Sequence, residues 1–241
     1  MHKDGAYATG TSAVLGPAPP PPRKAAPARA ASARAAAALR PGRLAPVLDL
    51  RGAPPRPAAE LRYPAGDVLI VSGLPGSGKS SLIRKTVARP ARGGPAVRRI
   101  DSQDARDRVA RLLPAGLPYA LYRPLVRLRH YAGLRRALRS GAGVVVHDCG
   151  TLAWVRRWVV RDARRRGRSV HLALLDVEPQ VALEGQALRG RGVSSYAFAR
   201  HRRAVGRLVA DAEDGRLPDG FASAVLLDRE AASALNGIGF E

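Results

Sequence analysis

The stretch from Asp67 to Ser81, DVLIVSGLPGSGKSS, concentrates the residues best placed to do chemistry. Gly73, Gly78, Lys79 and Ser80 stand at the spacing G-x-x-x-x-G-K-S, which lets a loop wrap a polyphosphate with successive backbone N–H groups pointing inward. Side chains at the glycine positions would block that approach. Gly73, Gly76 and Gly78 leave the space, and Leu74, Pro75 and Ser77 complete the loop. A helix starting near Lys79 aims its free N–H groups and the positive end of its dipole at the anion. Lys79 can reach the outer phosphates, the Ser80 hydroxyl can bind Mg²⁺, and Ser81 joins the same binding turn. These residues describe a site for a nucleoside triphosphate, ATP with its Mg²⁺. Lysine is scarce in this chain, so its presence at position 79 is informative.

Such a loop needs a rigid strand before it and a helix after it. Val68, Leu69, Ile70 and Val71 form an apolar, β-branched run suited to a buried strand of a parallel sheet, and a helix is expected from Ser80 to Val87. A second strand, Ala96 to Ile100, ends in Asp101. Carboxylates at the C-terminal ends of parallel strands lie on the edge where such sheets bind ligands, so Asp101 is placed to accept or position the proton of a hydroxyl. Asp101 is equally a good helix N-cap, and Asp104 can pair with Arg108 four residues on. In Gly143 to Thr151, GVVVHDCGT, a buried strand ends in Asp148, the pattern of a carboxylate that holds Mg²⁺. His147 and Cys149 beside it read as packing residues. Arg189-Gly190-Arg191-Gly192, after a helix from Glu178, suits a lid whose guanidinium groups stabilise a transferring phosphoryl group.

The remaining strands are expected at Ser169 to Val177 and Phe221 to Asp228, with His171 a core histidine. Helices are expected at Tyr122 to Arg139, Leu152 to Arg166 and Ser195 to Asp211, with a short one closing the chain. Leu125, Leu128, Leu134 and Leu138 repeat at helical spacing as a core stripe; Arg123, Arg127, His130 and Tyr131 fall off it. Trp154, Val155, Trp158 and Val159 point the next helix to the core, with a row of arginines outward.

With 241 residues, one large α/β domain is expected. Residues 1–60, rich in Ala, Pro and Arg and poor in large apolar residues, read as a disordered tail, and 61–241 as the folded domain. The formal charge of +22 comes almost entirely from arginines spread along the chain. It attracts polyanions but does not by itself identify one. The single cysteine excludes an intramolecular disulfide and fits a reducing cytosol, and no apolar run reaches the ~20 residues needed to cross a bilayer.

The phosphate loop, the Asp101 region with Arg106, VVVHDCGT and the Arg189-Gly190-Arg191 segment resemble P-loop kinases of the polynucleotide-kinase and zeta-toxin type, often grouped with AAA-family ATPases. The resemblance spans roughly residues 65 to 230. It implies that Lys79 and Ser80 bind phosphate and Mg²⁺, that Asp148 completes the metal site, and that Arg189 is the lid arginine. An acidic base in an Asp-x-x-Arg setting is implied too, but Gln103 stands three residues before Arg106, which leaves Asp101 and Asp104 as rivals.

The expected architecture is a P-loop fold with five mostly parallel strands, helices on both faces, and the phosphate-loop strand beside the strand that ends at Asp148. The expected activity is Mg·ATP-dependent phosphoryl transfer to a hydroxyl acceptor, a small molecule or a nucleic-acid end. Lys79, Asp101, Arg189 and Arg191 would be its catalytic groups. A nucleotide-binding regulator or nucleic-acid-associated ATPase is the alternative, and a monomer or small homo-oligomer away from membranes is expected.

Overall fold

The computed structural model describes residues 47–53, 59–87, 97–114, 116–147, 152–188, 190 and 192–241. In chain order the elements are β1 (Val47–Asp49), β2 (Ala59–Tyr63), β3 (Val68–Gly73), α1 (Lys79–Val87), β4 (Val97–Ile100), α2 (Ser102–Ala110), α3 (Tyr119–Arg139) and β5 (Gly143–His147). They continue with α4 (Ala153–Arg164), β6 (Val170–Leu175), α5 (Pro179–Ala187), α6 (Ser195–Glu213), β7 (Ser223–Leu227), α7 (Arg229–Ala234) and β8 (Leu235–Phe240).

The main sheet runs β1-β7-β6-β3-β5-β4, with every neighbouring pair parallel. The phosphate-loop strand β3 therefore lies between β6 and β5, and its expected neighbour β5 pairs with it from Val68↔Val144 to Val71↔His147. Alternation along β3 splits its side chains between two cores. Val68 and Ile70 join Leu134, Leu138, Val159 and Val205 on one face, under α3, α4 and α6. Leu69 and Val71 join Leu82, Ile83, Ala232 and Ile238 on the other, under α1, α7 and the β2–β8 ribbon. Burial on both faces explains why β3, β5 and β6 read as continuous apolar runs rather than alternating ones. No helix among the described residues is long and apolar enough to cross a membrane.

Three expectations need correction. The main sheet has six strands rather than five, because Val47–Asp49, assigned to the tail, pairs with β7 in the register Val47↔Ala224 to Asp49↔Leu226. The folded part thus begins before residue 61; residues 1–46 lie outside the described residues. Second, the short helix expected after the last strand is present as α7, but a strand follows it: β8 pairs with β2 from Ala59↔Leu235 to Tyr63↔Phe240. The ribbon presses on the sheet at Gly143, where an added Cβ would lie 2.3 Å from the Phe240 ring.

Third, only half of the leucine stripe on α3 is core. Leu134 and Leu138 are buried, but Leu125 and Leu128 are 48% and 68% exposed. The reason is length: a 21-residue helix spans ~31 Å whereas the five residues of β5 span ~16 Å, so the first half of α3 extends past the strand. There it packs on α2 through Val126 and Tyr122 against Ala105 and Val109. On α4, Val155 and Val159 are buried as expected and Trp158 packs against that core. Trp154 is instead 50% exposed and meets Tyr131 edge-on, while Arg156, expected outward, is buried.

Candidate active site

The site begins where β3 ends. Gly73, Gly76 and Gly78 have φ of 155°, 89° and 101°, values that favour glycine and turn the chain back on itself between strand and helix. The Ser77 N–H donates to the Leu74 carbonyl at 3.0 Å, and those of Ser81 and Leu82 both donate to Gly78 at 2.9 Å. The loop is therefore closed by its own backbone before any ligand arrives. A Cβ on Gly73 would lie 2.6 Å from the Leu175 carbonyl, so the main chain occupies the room a side chain would need.

Lys79 opens α1 and is buried; its Nζ donates to the carbonyls of Gly73 at 2.9 Å and Leu74 at 2.6 Å. The ammonium thus crosses the mouth of the loop. The Ser77 hydroxyl is buried without a hydrogen-bond partner among the described residues. An orphaned hydroxyl and a buried ammonium within one glycine-rich turn fit a bound phosphate, which would supply the acceptors they lack or share. Ser80 is half-buried, and Ser81 is exposed, with its hydroxyl 3.5 Å from an Arg84 nitrogen.

Asp101 follows β4 at the same sheet edge and is buried. Its Oδ1 accepts from the Gln103 N–H at 2.9 Å, capping α2, and pairs with Nδ1 of His147 at 2.8 Å. Burial pushes the Asp101 carboxyl upward, but the His147 hydrogen bond and charge, the Gln103 N–H and the Ser80 hydroxyl together hold it well below the usual carboxylate range. Asp101 is thereby an ionised acceptor. The Ser80 hydroxyl is a hard oxygen donor, which suits Mg²⁺.

Asp104 does not meet Arg108 as expected; its Oδ2 accepts from Arg99 at 2.9 Å, on a partly exposed flank. Arg106 stacks its guanidinium 4.1 Å over the Tyr119 ring. Asp148, Arg189 and Arg191 lie outside the described residues. The residues brought together are the 73–80 loop with Lys79 and Ser80, Asp101, and His147.

His147 was expected only to pack. Its signal lay in its position: β4 and β5 pair with Ile100↔Val146, so the next residue on each strand is Asp101 and His147. Gln186 is a second residue with no obvious signal. It is buried on α5, and its Nε2 donates to the Pro75 carbonyl at 3.1 Å.

A family model for the AAA domain matches residues 68–210, more than half of the chain. Among solved structures, the chain is similar to one from the PezAT chromosomal toxin–antitoxin system of Streptococcus pneumoniae. That match is at 14% identity and a TM-score of 0.51, covering 70% of this chain and 69% of that one. Looser likenesses, with TM-scores of 0.38 and 0.39, reach a gluconokinase from Sinorhizobium meliloti and the tunicamycin resistance protein of Deinococcus radiodurans. The gluconokinase is 19% identical over 72% of this chain and 92% of that one, the resistance protein 15% over 70% and 91%. Comparison with curated proteins finds no match. The chain belongs to the AAA domain family.

Proposed function

We propose that this protein is a Mg·ATP-dependent phosphotransferase acting on a hydroxyl acceptor. The observation that carries the reading is the phosphate loop and a carboxylate on one sheet edge: Lys79 crosses the loop, the Ser77 hydroxyl is orphaned, and the buried Asp101 ends β4, two strands from β3. A loop that grips phosphate and a carboxylate that positions a hydroxyl are then parts of one edge. When bound, Mg²⁺ neutralises charge on the outer phosphates. Ser80, with Asp148 as a further ligand, would hold the ion. Lys79 would exchange its loop carbonyls for phosphate oxygens, and Arg189 and Arg191 would offset charge on the phosphoryl group in flight.

Asp101 would orient the acceptor hydroxyl by accepting its hydrogen bond. Because its carboxyl is strongly acidic, it is a weak proton sink, and His147 is the group in contact with it that can share the proton. The same acidity supports a second reading, a nucleotide-binding regulator in which Asp101 only caps α2. Incubation with γ-labelled ATP and a panel of nucleic-acid ends, nucleosides, sugars and antibiotics separates the two. The proposal expects label on one class of acceptor and loss of that label in Asp101→Asn. ATP uptake with no transfer to any acceptor is the outcome expected of the regulator.

A further inference from the structure

α5 lies against the phosphate loop at backbone contact. A Cβ on Gly76 would lie 1.9 Å from the Ala182 carbonyl, and one on Gly185 would lie 2.4 Å from the Gly76 carbonyl. No side chain separates the two segments there. The shape of the loop is therefore set from outside as well as by its own turns, because moving α5 would move Gly76.

One side chain spans this contact. Gln186 is 6% exposed, and both ends of its amide are used. Nε2 donates to the Pro75 carbonyl within the loop at 3.1 Å, and Oε1 accepts from the Val193 N–H at 2.9 Å. Val193 stands just before Ser194, which caps α6 by accepting from the Ala197 N–H. The amide thus joins the phosphate loop to the end of the segment between α5 and α6, within the same chain of hydrogen bonds.

We propose that Gln186 is a positioning residue that couples nucleotide uptake at the phosphate loop to the backbone at Val193, just ahead of α6. This rests on the nucleotide-binding reading above. A loop filled by phosphate holds Pro75 in place, which holds the amide, which holds the Val193 N–H. Removing the amide leaves the Pro75 carbonyl and the Val193 N–H, both in part-buried hydrogen bonds, without their side-chain partner and releases the phosphate loop from the start of α6. Gln186 touches no phosphate in this scheme; it acts through Pro75 and Val193.

The test uses the full chain. Mg·ATP is titrated by calorimetry, and trypsin cleavage after Arg189 and Arg191 is followed by mass spectrometry with and without saturating ATP. In the wild type, ATP is expected to slow cleavage at those bonds. Gln186→Met keeps the length of the side chain and loses both polar ends. It is expected to bind ATP about tenfold more weakly, as loss of two part-buried hydrogen bonds implies, and to lose the protection even when saturated. Its melting temperature without nucleotide should stay within a few degrees of wild type.

If Gln186→Met binds ATP as tightly as the wild type, or if saturating ATP still protects it, the coupling is wrong. If the wild type itself takes up no ATP, the proposed function fails instead. Should Gln186→Met not fold, Val193→Pro removes the N–H that Oε1 accepts while leaving Gln186 and its bond to Pro75 in place; it is expected to bind ATP without protection, and retained protection overturns the inference.

Discussion

Two Asp–His pairs sit at opposite ends of one sheet, and they are put to different uses. At the amino end, Asp67 Oδ2 meets His171 Nε2 at 3.0 Å, Asp67 Oδ1 accepts from the Ser169 N–H at 2.9 Å, and His171 Nδ1 pairs with the Ser223 hydroxyl at 2.8 Å. The Tyr63 ring covers the imidazole with centroids 4.6 Å apart. Both carboxylate oxygens and both ring nitrogens are satisfied by scaffold groups, so the pair is a clamp joining β3, β6 and β7. At the carboxyl end, Asp101 and His147 meet at 2.8 Å, but the Ser80 hydroxyl, at the end of the phosphate loop, also helps to lower that carboxyl. The same two residue types become structure or site according to which sheet edge they occupy. In a parallel sheet only the carboxyl edge collects the loops and helix N-termini that receive anions.

Mutations can break this comparison from either end. The largest effect is expected from Lys79→Ala, which should lower phosphoryl transfer by about 1000-fold, the scale of losing a preorganised charge partner. Thermal melting should change little, and a transfer assay with γ-labelled ATP reads the difference. At the other edge, Asp67→Ala breaks a buried pair and should lower stability by about 3 kcal/mol. Denaturant titration measures that loss, and calorimetry should give an unaltered ATP affinity. A marked drop in affinity would show that the two ends are not separate.

Next in size, Asp101→Asn should cut transfer by about 100-fold, the scale of a positioned acid–base group, with ATP uptake largely kept. The cap of α2 should be kept, because an Asn side-chain oxygen can still accept from the Gln103 N–H. The smallest expected effect is one of pH. The Asp101 carboxyl is held below its unfolded value, so its contribution to stability is complete above that value, about 3.9, and is lost as pH falls through the lower folded one. The melting difference between wild type and Asp101→Asn should be present above about pH 4 and shrink below it. A difference that persists unchanged below about pH 4 would mean that another group carries it.

Much of the site could be read along the chain because its parts are local. Gly73 to Ser80 is one unbroken turn whose glycines, lysine and serine need no distant partner to be recognised, and β3 before it carries an apolar run long enough to mark a buried strand. Asp101 was legible for the same reason, as a carboxylate ending a short strand. What could not be read depends on segments far apart in the chain. Val47–Asp49 is three residues long and becomes a strand only by lying along β7. Leu125 and Leu128 share a helical period with Leu134 and Leu138, and only the length of α3 relative to β5 separates exposed from buried.

Local chemistry therefore established that this chain carries a phosphate loop on a parallel α/β scaffold, since a turn that presents N–H groups to an anion is encoded within a few consecutive residues. The packed fold alone decided that His147 would lean on Asp101 rather than on the core, that His171 would close a clamp, and that Gln186 would bridge Pro75 to Val193. Each of those contacts joins side chains whose separation is set by strand order and helix docking, and burial makes each polar group depend on the partner that docking supplies.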